Sequence, residues 1–150
     1  YEEVGLIIRQ ARELGLNVPI LGADGYESPK LTEIAGKDAL NDVYYSSHYS
    51  PMDDAPEVVK FRESFNAKYG KEPDAFNALG YDLAYFLADS LERAGEADSE
   101  KLKGALAATK DFKGVTGSFS IDENHNPVKS VTIIEMKAGE PTFLKKLDRQ

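Results

Sequence analysis

The chain opens with a helical pattern of apolar residues that stops at a glycine. Five apolar residues recur at spacings of three and four and form one face of a predicted helix over residues 2–14: Val4, Ile7, Ile8, Ala11 and Leu14. Glu2 and Glu3 fall in its first turn, where carboxylates suit the positive end of the helix dipole. Gly15 follows, and helices commonly end at a glycine in the left-handed conformation.

A continuous apolar run over residues 18–21 comes next and is typical of a strand covered on both faces. A second helix is predicted to begin with Ser28 as its N-cap and Pro29 as its first residue, and to end at Gly36. Residues 43–47 form another predicted strand. The order helix, strand, helix, strand indicates half of a parallel α/β layer.

The pattern changes at residues 48–54, which form a polar, proline-containing connector. Three consecutive helices are predicted after it: one that begins at residues 54–56 and ends before Gly70, one over residues 75–94, and one capped by Asp98 or Ser99. The middle helix is apolar on most sides, which predicts deep burial. Because such helices must cover something, the three cover either a sheet of this chain or a sheet outside it.

The last third of the chain is extended in character. Alternation over residues 115–121 predicts a strand, and residues 122–127 form a polar turn. Two further strands are predicted over residues 131–136 and 141–144, joined by a turn that contains Gly139.

Composition narrows the kind of partner. Among 150 residues, 26 are acidic and 18 basic, which gives a formal net charge of -8. This balance argues against a nucleic acid or an anionic membrane as the partner, because both favour basic surfaces. Cysteine is absent, so disulfides and cysteine-based metal sites or nucleophiles are excluded.

The chain shows neither a signal peptide nor a membrane-spanning segment. The most apolar helix contains Asp82 and Asp89, so its uncharged stretches are shorter than the length needed to span a bilayer. The first residue is Tyr1, with no methionine and no strand before the first helix. We therefore expect a fragment or a trimmed piece of a longer protein.

One acidic residue stands out at the end of a predicted strand. Asp24 lies between Ala23 and Gly25, just after the apolar run and before the helix that begins at Pro29. In a sheet layered with helices, such a loop is where a ligand contacts the protein. The alternative is a turn, since Asp-Gly is a common turn pair, and the residue types alone favour the turn by about two to one.

Other candidate sites are weaker. Asp122, Asn124 and Asn126 alternate as in a calcium loop but lack the glycine and the glutamate that the loop requires, so a polar turn is the better interpretation. His48 and His125 are far apart in sequence and are interpreted as surface residues. No phosphate loop and no nucleophile motif is present.

Several segments, taken in order, together resemble one family, the solute-binding proteins of branched-chain amino-acid ABC transporters. The resemblance rests on residues 2–5, 9–15, 18–25, 34–36, 68–73, 78–82, 112–117 and 121–124. It covers essentially the whole chain but only the C-terminal part, somewhat under half, of such a protein.

The resemblance implies a type I periplasmic-binding-protein fold, a three-layer α/β/α arrangement with two lobes and a hinge of crossing segments. This chain would be a C-terminal fragment with pieces of both lobes. Residues 1–47 would belong to the C-terminal lobe and residues 48–120 to the helical part of the N-terminal lobe, with hinge crossings near both ends. Residues 121–150 would return to the C-terminal lobe. The orphan helices would then cover a sheet supplied by the absent half.

The resemblance also implies site residues. Asp24 matches the acid that binds the α-ammonium of the ligand, although some relatives have the longer glutamate there. Phe76 matches an aromatic residue that lines the pocket; its alternative is a core aromatic. Tyr26 either covers the ligand or packs on the helix behind it, and Tyr1 lies beside a position whose aromatic touches ligand. No cofactor and no metal is implied.

As to function, the resemblance implies a periplasmic or extracellular component of an ABC importer, lipid-anchored in a Gram-positive organism, that binds a branched-chain or other apolar amino acid and delivers it to a permease. The alternative is a ligand-sensing domain of a receptor or regulator with the same fold. An enzyme is disfavoured, because the sequence supplies no catalytic motif.

The helical segment raises a further expectation about the chain by itself. Without the rest of the fold, its apolar faces would be exposed. The chain should then associate with the missing N-terminal half of the same protein or with a second copy of itself.

Overall fold

A computed structural model describes residues 1–148, and these divide into two compact units. The first unit comprises residues 1–53 and 131–147, and the second comprises residues 54–130 together with Asp148. The sequence predicts segment boundaries at residues 47/48 and 120/121. The boundaries between the two units lie later in the chain, at residues 53/54 and 130/131. The assignment of either part to a lobe stays a prediction.

The first unit is a four-stranded sheet with two helices. Its elements are α1 (Glu2–Glu13), β1 (Ile20–Gly22), α2 (Pro29–Ala35), a 3-10 turn (Asp38–Leu40), β2 (Val43–Ser47), and two strands from the end of the chain, Val131–Lys137 and Glu140–Leu147. These last two are β6 and β7 in chain order, and the strand order is β1-β2-β6-β7. β1 and β2 are parallel, whereas β6 pairs antiparallel with both β2 and β7. The last strand is longer than the predicted 141–144.

Local signals set the helix ends as predicted. Gly15 has a φ of 83°, and the amide after it, that of Leu16, bonds back to the carbonyl of Ala11. This is the hydrogen-bond pattern of a glycine-terminated helix. The Ser28 side chain accepts a hydrogen bond from the Lys30 amide at 3.2 Å and caps α2.

The core of the first unit lies between the two helices and one face of the sheet. Its buried residues are Ile8, Leu31, Ala35, Leu40, Val43, Tyr45, Ile134 and Met136. The predicted face of α1 is too wide, because Ile7 is exposed and Leu14 is 82% exposed. The prediction that the first strand is covered on both faces is wrong as well: Leu21 is 78% exposed, because α1 and α2 lie on the other face.

The second unit holds three helices and a small sheet. Its elements are α3 (Pro56–Tyr69), α4 (Ala75–Ala94), α5 (Ser99–Ala107), β3 (Phe112–Gly114), β4 (Gly117–Ile121) and β5 (Pro127–Lys129). The sheet is antiparallel in the order β3-β4-β5. The single strand predicted over residues 115–121 is wrong at its start, because Val115 and Thr116 form the turn of a hairpin.

The predicted deep burial of α4 is wrong for this chain. Its buried positions are few and small: Ala75, Ala78, Asp82 and Ser90. Leu83 is 64% exposed, and Tyr85 and Leu87 are exposed too. Within residues 1–148, nothing covers this apolar side, which is the exposure expected if the sheet for these helices lies outside the chain. Among these residues, no helix combines the length and the apolar character needed to cross a bilayer.

Arg12 joins the two loops that lead into the parallel strands. Its guanidinium donates to the carbonyls of Leu16 at 2.6 Å and Val18 at 2.8 Å, in the loop before β1. It also donates to the carbonyls of Ala39 at 3.3 Å and Asn41 at 2.9 Å, in the loop before β2. One planar cation therefore binds four carbonyls, a geometry that an ammonium group does not reproduce.

We predict that Arg12→Ala lowers the free energy of unfolding by about 2 kcal/mol, because it removes several charge-assisted hydrogen bonds at once. The matched control is Arg9→Ala, which removes one bond to Ile34 and an exposed ion pair with Glu13 and should cost about 0.5 kcal/mol or less. Urea unfolding monitored by circular dichroism measures both values. Equal losses of stability in the two variants would show that the Arg12 hydrogen bonds to the two loops add no more stability than those of Arg9.

A buried carboxylate ties α4 to the hairpin turn. Asp82 is 5% exposed and accepts hydrogen bonds from the amides of Val115 at 2.7 Å and Thr116 at 2.8 Å. Gly114 leaves room for it, since a Cβ there would lie 2.5 Å from the carboxylate. The buried charge is thus satisfied by backbone donors, as buried charges must be.

We predict that Asp82→Asn lowers the free energy of unfolding by about 2–4 kcal/mol, because an amide offers one acceptor where two donors converge. Glu92→Gln is the control, the same chemical change on an exposed position of the same helix, and should change stability by about 0.5 kcal/mol or less. Urea unfolding compares the two. A tolerated Asp82→Asn would mean that the two amides find other partners.

Candidate functional site

The candidate site lies where two parallel strands end. β1 ends at Gly22 and β2 at Ser47, so the segments after both strands leave the sheet at the same edge. Asp24 lies on the first segment and His48 on the second. The His48 Nε2 atom is 3.2 Å from the Asp24 Oδ2 atom. Ligands of open α/β sheets commonly bind at this edge, outside the carboxyl ends of the strands.

The Asp24 carboxylate is accessible. Its side chain is 61% exposed, and His48 is its hydrogen-bond partner among the described residues. The chain bends at Asp24, so a turn formed with Gly25 stays a prediction; the Asp24 carboxylate itself binds a neighbouring segment and not its own backbone. One carboxylate oxygen stays open to solvent and to a cationic ligand.

The loop around Asp24 is shaped by its neighbours. Gly25 has a φ of 92°, which a side chain would strain. Its amide donates to the Glu27 Oε2 atom at 2.9 Å, and its carbonyl accepts from the Tyr1 nitrogen at 3.3 Å. The other Glu27 oxygen is buried and has no hydrogen-bond partner among the described residues.

Tyr26 packs against the sheet. Its ring lies 5.2 Å from that of Tyr45, centroid to centroid, at 33°, and it lies on the edge of the core. Burial, and to a lesser degree the Glu27 carboxylate, raises the pKa of Tyr45. The Tyr45 hydroxyl therefore stays neutral to a higher pH than that of an exposed tyrosine. Of the two interpretations of Tyr26, packing describes its position; a contact with ligand stays a prediction.

The structure brings three of the four predicted site residues to one loop. Tyr1, Asp24 and Tyr26 are neighbours in the first unit. Phe76 belongs to the second unit, where it is the second residue of α4 and is 55% exposed. It follows the N-cap Asp74, whose side chain accepts from the Asn77 amide at 2.9 Å. Phe76 is therefore not a core aromatic in this chain, and its role in binding stays a prediction.

His48 is the residue that the sequence interpretation missed. The sequence alone predicts an ordinary surface histidine, yet His48 forms the hydrogen bond with Asp24. Its position directly after a strand predicted to be parallel to the first one was the available signal, because the ends of parallel strands share an edge.

The remaining candidates do not form sites. The Asp122 Oδ1 atom accepts from the amides of Asn124 and Asn126 at 2.9 and 2.8 Å, which makes the segment a hydrogen-bonded turn. Among residues 1–148, no group of three or more side chains could hold a metal ion. An open depression of about 550 Å³ is lined by Arg9, Arg12 and Lys37, among others, but Arg12 already donates four hydrogen bonds to carbonyls.

Comparison with known proteins shows the family to which the chain belongs. A family model described as periplasmic binding protein matches residues 2–141. A leucine-binding protein from Thermotoga maritima is similar in structure, with a TM-score of 0.88 and 42% identity over 97% of this chain and 42% of that one. A branched-chain amino acid transporter substrate-binding protein from Streptococcus pneumoniae, solved with isoleucine, is similar too. Its TM-score is 0.86, and it is 33% identical over 99% of this chain and 42% of that one.

A curated relative agrees. The leucine-, isoleucine-, valine-, threonine- and alanine-binding protein of Pseudomonas aeruginosa is 32% identical over 82% of this chain and 32% of its own length. The chain belongs to the periplasmic binding protein family, and its fold is the type I α/β fold, which confirms the resemblance. It spans about a third of the length of the curated relatives that it matches.

Gly22 is required by the way Tyr26 packs. A Cβ at Gly22 would lie 2.3 Å from the Tyr26 ring. We predict that Gly22→Ala lowers the free energy of unfolding by about 1–3 kcal/mol, because the ring is held on the sheet and has little room to move. In a Tyr26→Ala background, the same substitution should cost about 0.5 kcal/mol or less. Urea unfolding of the wild type, the two single variants and the double variant tests this; an equal cost in both backgrounds would contradict the contact.

Proposed function

We propose that this chain is part of the extracytoplasmic solute-binding component of an ABC importer, and that its protein binds an amino acid with a branched or other apolar side chain. The observation that carries the proposal is the accessible Asp24 carboxylate at the carboxyl ends of two parallel strands. The support from comparison is the set of relatives named for leucine, isoleucine and valine.

The chemistry of the site fits the ammonium group of an amino acid. A carboxylate accepts hydrogen bonds from an ammonium group and balances its charge, and such charge-assisted bonds are about twice as strong as neutral ones. Asp24 has one oxygen open for this purpose. Aspartate has a shorter side chain than glutamate, so a bound ammonium would lie close to the Asp24 loop.

The other candidate residues have supporting roles in the proposal. Tyr1 would line one side of the site. Its nitrogen donates a hydrogen bond to the Gly25 carbonyl, next to Asp24 in the loop. Tyr26 would shape the loop and touch the ligand only at its edge. Phe76, accessible at the start of α4, would provide an apolar contact with the ligand.

The partners follow from the same proposal. The permease of the importer would receive the ligand, and the protein would act outside the cytoplasmic membrane. The uncovered apolar side of α4 and the open face of β1 would pack on the rest of the full-length protein. In the isolated chain, a second copy would take that place.

We predict that Asp24→Ala weakens amino-acid binding by the intact protein about 100-fold, because it leaves an ammonium unpaired; this corresponds to about 3 kcal/mol. Isothermal titration calorimetry with leucine, isoleucine and valine measures the loss. Asp38→Ala is the matched control, an exposed aspartate in the 3-10 turn before β2, and it should leave affinity within about two-fold, as expected for a substitution away from the ligand.

Two results would contradict the proposal. If the intact protein bound none of the amino acids, its ligand would belong to another class. If binding were tight but Asp24→Ala had no effect, the ammonium would be bound elsewhere. Because folded-state binding raises stability, a thermal-shift series with each variant would first establish that the variants fold.

A further inference from the structure

His48 supplies the one hydrogen bond that the described residues give to the Asp24 side chain. The Nε2 atom is the donor, because an ionised carboxylate only accepts. The bond uses Oδ2, 3.2 Å away, and leaves Oδ1 open. The two residues lie just after two adjacent parallel strands, 24 positions apart in sequence.

The backbone on the His48 side is fixed. Ser47 and Tyr49, its two neighbours, are both buried. The Ser47 hydroxyl donates to the Tyr49 carbonyl at 2.9 Å and accepts from the Tyr49 amide at 3.3 Å. His48 therefore projects from a closed, internally bonded turn at the end of a central strand.

The Asp24 side is less constrained. Asp24 is exposed and is followed by Gly25, whose backbone adopts a conformation that only glycine reaches easily. An exposed aspartate on such a loop would sample several rotamers. A hydrogen bond from a fixed imidazole selects one of them before any ligand arrives.

We infer that His48 is a positioning residue for the ligand-binding carboxylate. It orients Asp24 so that Oδ1 faces an incoming ammonium, and it lowers the entropy lost on binding, as preorganisation does. This inference rests on the proposed function, since it assigns a role at the same site. It adds a residue that neither the sequence resemblance nor the comparisons assign.

The test uses the intact protein and L-leucine, measured by titration calorimetry. His48→Ala should weaken leucine binding about 5- to 20-fold, because the Asp24 rotamer that the hydrogen bond fixes in advance would then have to be ordered on binding. His48→Gln should restore affinity to within about three-fold, because the glutamine amide places a donor near the position of Nε2. In an Asp24→Ala background, His48→Ala should weaken binding less than about two-fold, since the acceptor of the His48 hydrogen bond is already absent.

The control is the second histidine. His125 lies in the turn before β5, with a φ of 64°, and asparagine tolerates that conformation. His125→Asn should leave leucine affinity within about two-fold. The melting temperature of each ligand-free variant distinguishes a loss of folding from a loss of positioning.

The outcomes separate the two claims. If the wild-type protein binds leucine and Asp24→Ala abolishes binding while His48→Ala leaves it unchanged, the inference fails and the proposed function stands. If His48→Ala weakens binding equally in the Asp24→Ala background, His48 acts through some other group and the inference is wrong. If no amino acid binds the wild-type protein, the proposed function fails and the inference falls with it.

Discussion

The parallel pairing of β1 with β2 is the constraint on which the rest of the site depends. Ile20 is in register with Val43 and Gly22 with Tyr45, so both strands end at the same edge. Residues 24 positions apart in sequence are thereby brought within hydrogen-bond distance. With β2 turned around, its carboxyl end would lie at the opposite edge, and Asp24 would have no imidazole beside it.

Interactions within the first unit fix both ends of the β1–β2 pair. At the amino ends, Arg12 binds carbonyls of the two entering loops. At the carboxyl ends, Gly22 leaves the space that the Tyr26 ring fills, and a bonded turn closes β2. Strand register and loop direction are therefore set by interactions at the strand ends as well as by the core between them.

Much of this fold was predictable from local sequence. Gly15, Ser28 and Pro29 mark helix ends because backbone conformation and capping depend on few neighbours. Burial was predicted less well. Leu21 and Leu83 look like core residues because of their side chains, but burial depends on which surface lies opposite. For these residues, that surface is not among the residues that the structure describes.

The site was predictable in part. Asp24 could be selected because an isolated acid follows an apolar strand and matches a family position. His48 could not be selected by residue type, since its significance comes from strand pairing. The hairpin turn at Val115 and Thr116 could not be predicted for a similar reason. The amides of these two residues donate hydrogen bonds to Asp82, which lies 33 and 34 positions earlier in the sequence. Long-range partners of this kind leave no local sequence pattern.

The central claim is that Asp24 binds the ammonium group of an amino acid. A crystal structure of the intact protein with bound L-leucine tests it most directly. The account predicts an Asp24 carboxylate oxygen about 2.7–2.9 Å from the ligand nitrogen, the usual length of a charge-assisted bond. A ligand nitrogen bound by other groups, with the Asp24 carboxylate well beyond hydrogen-bond distance, would contradict it.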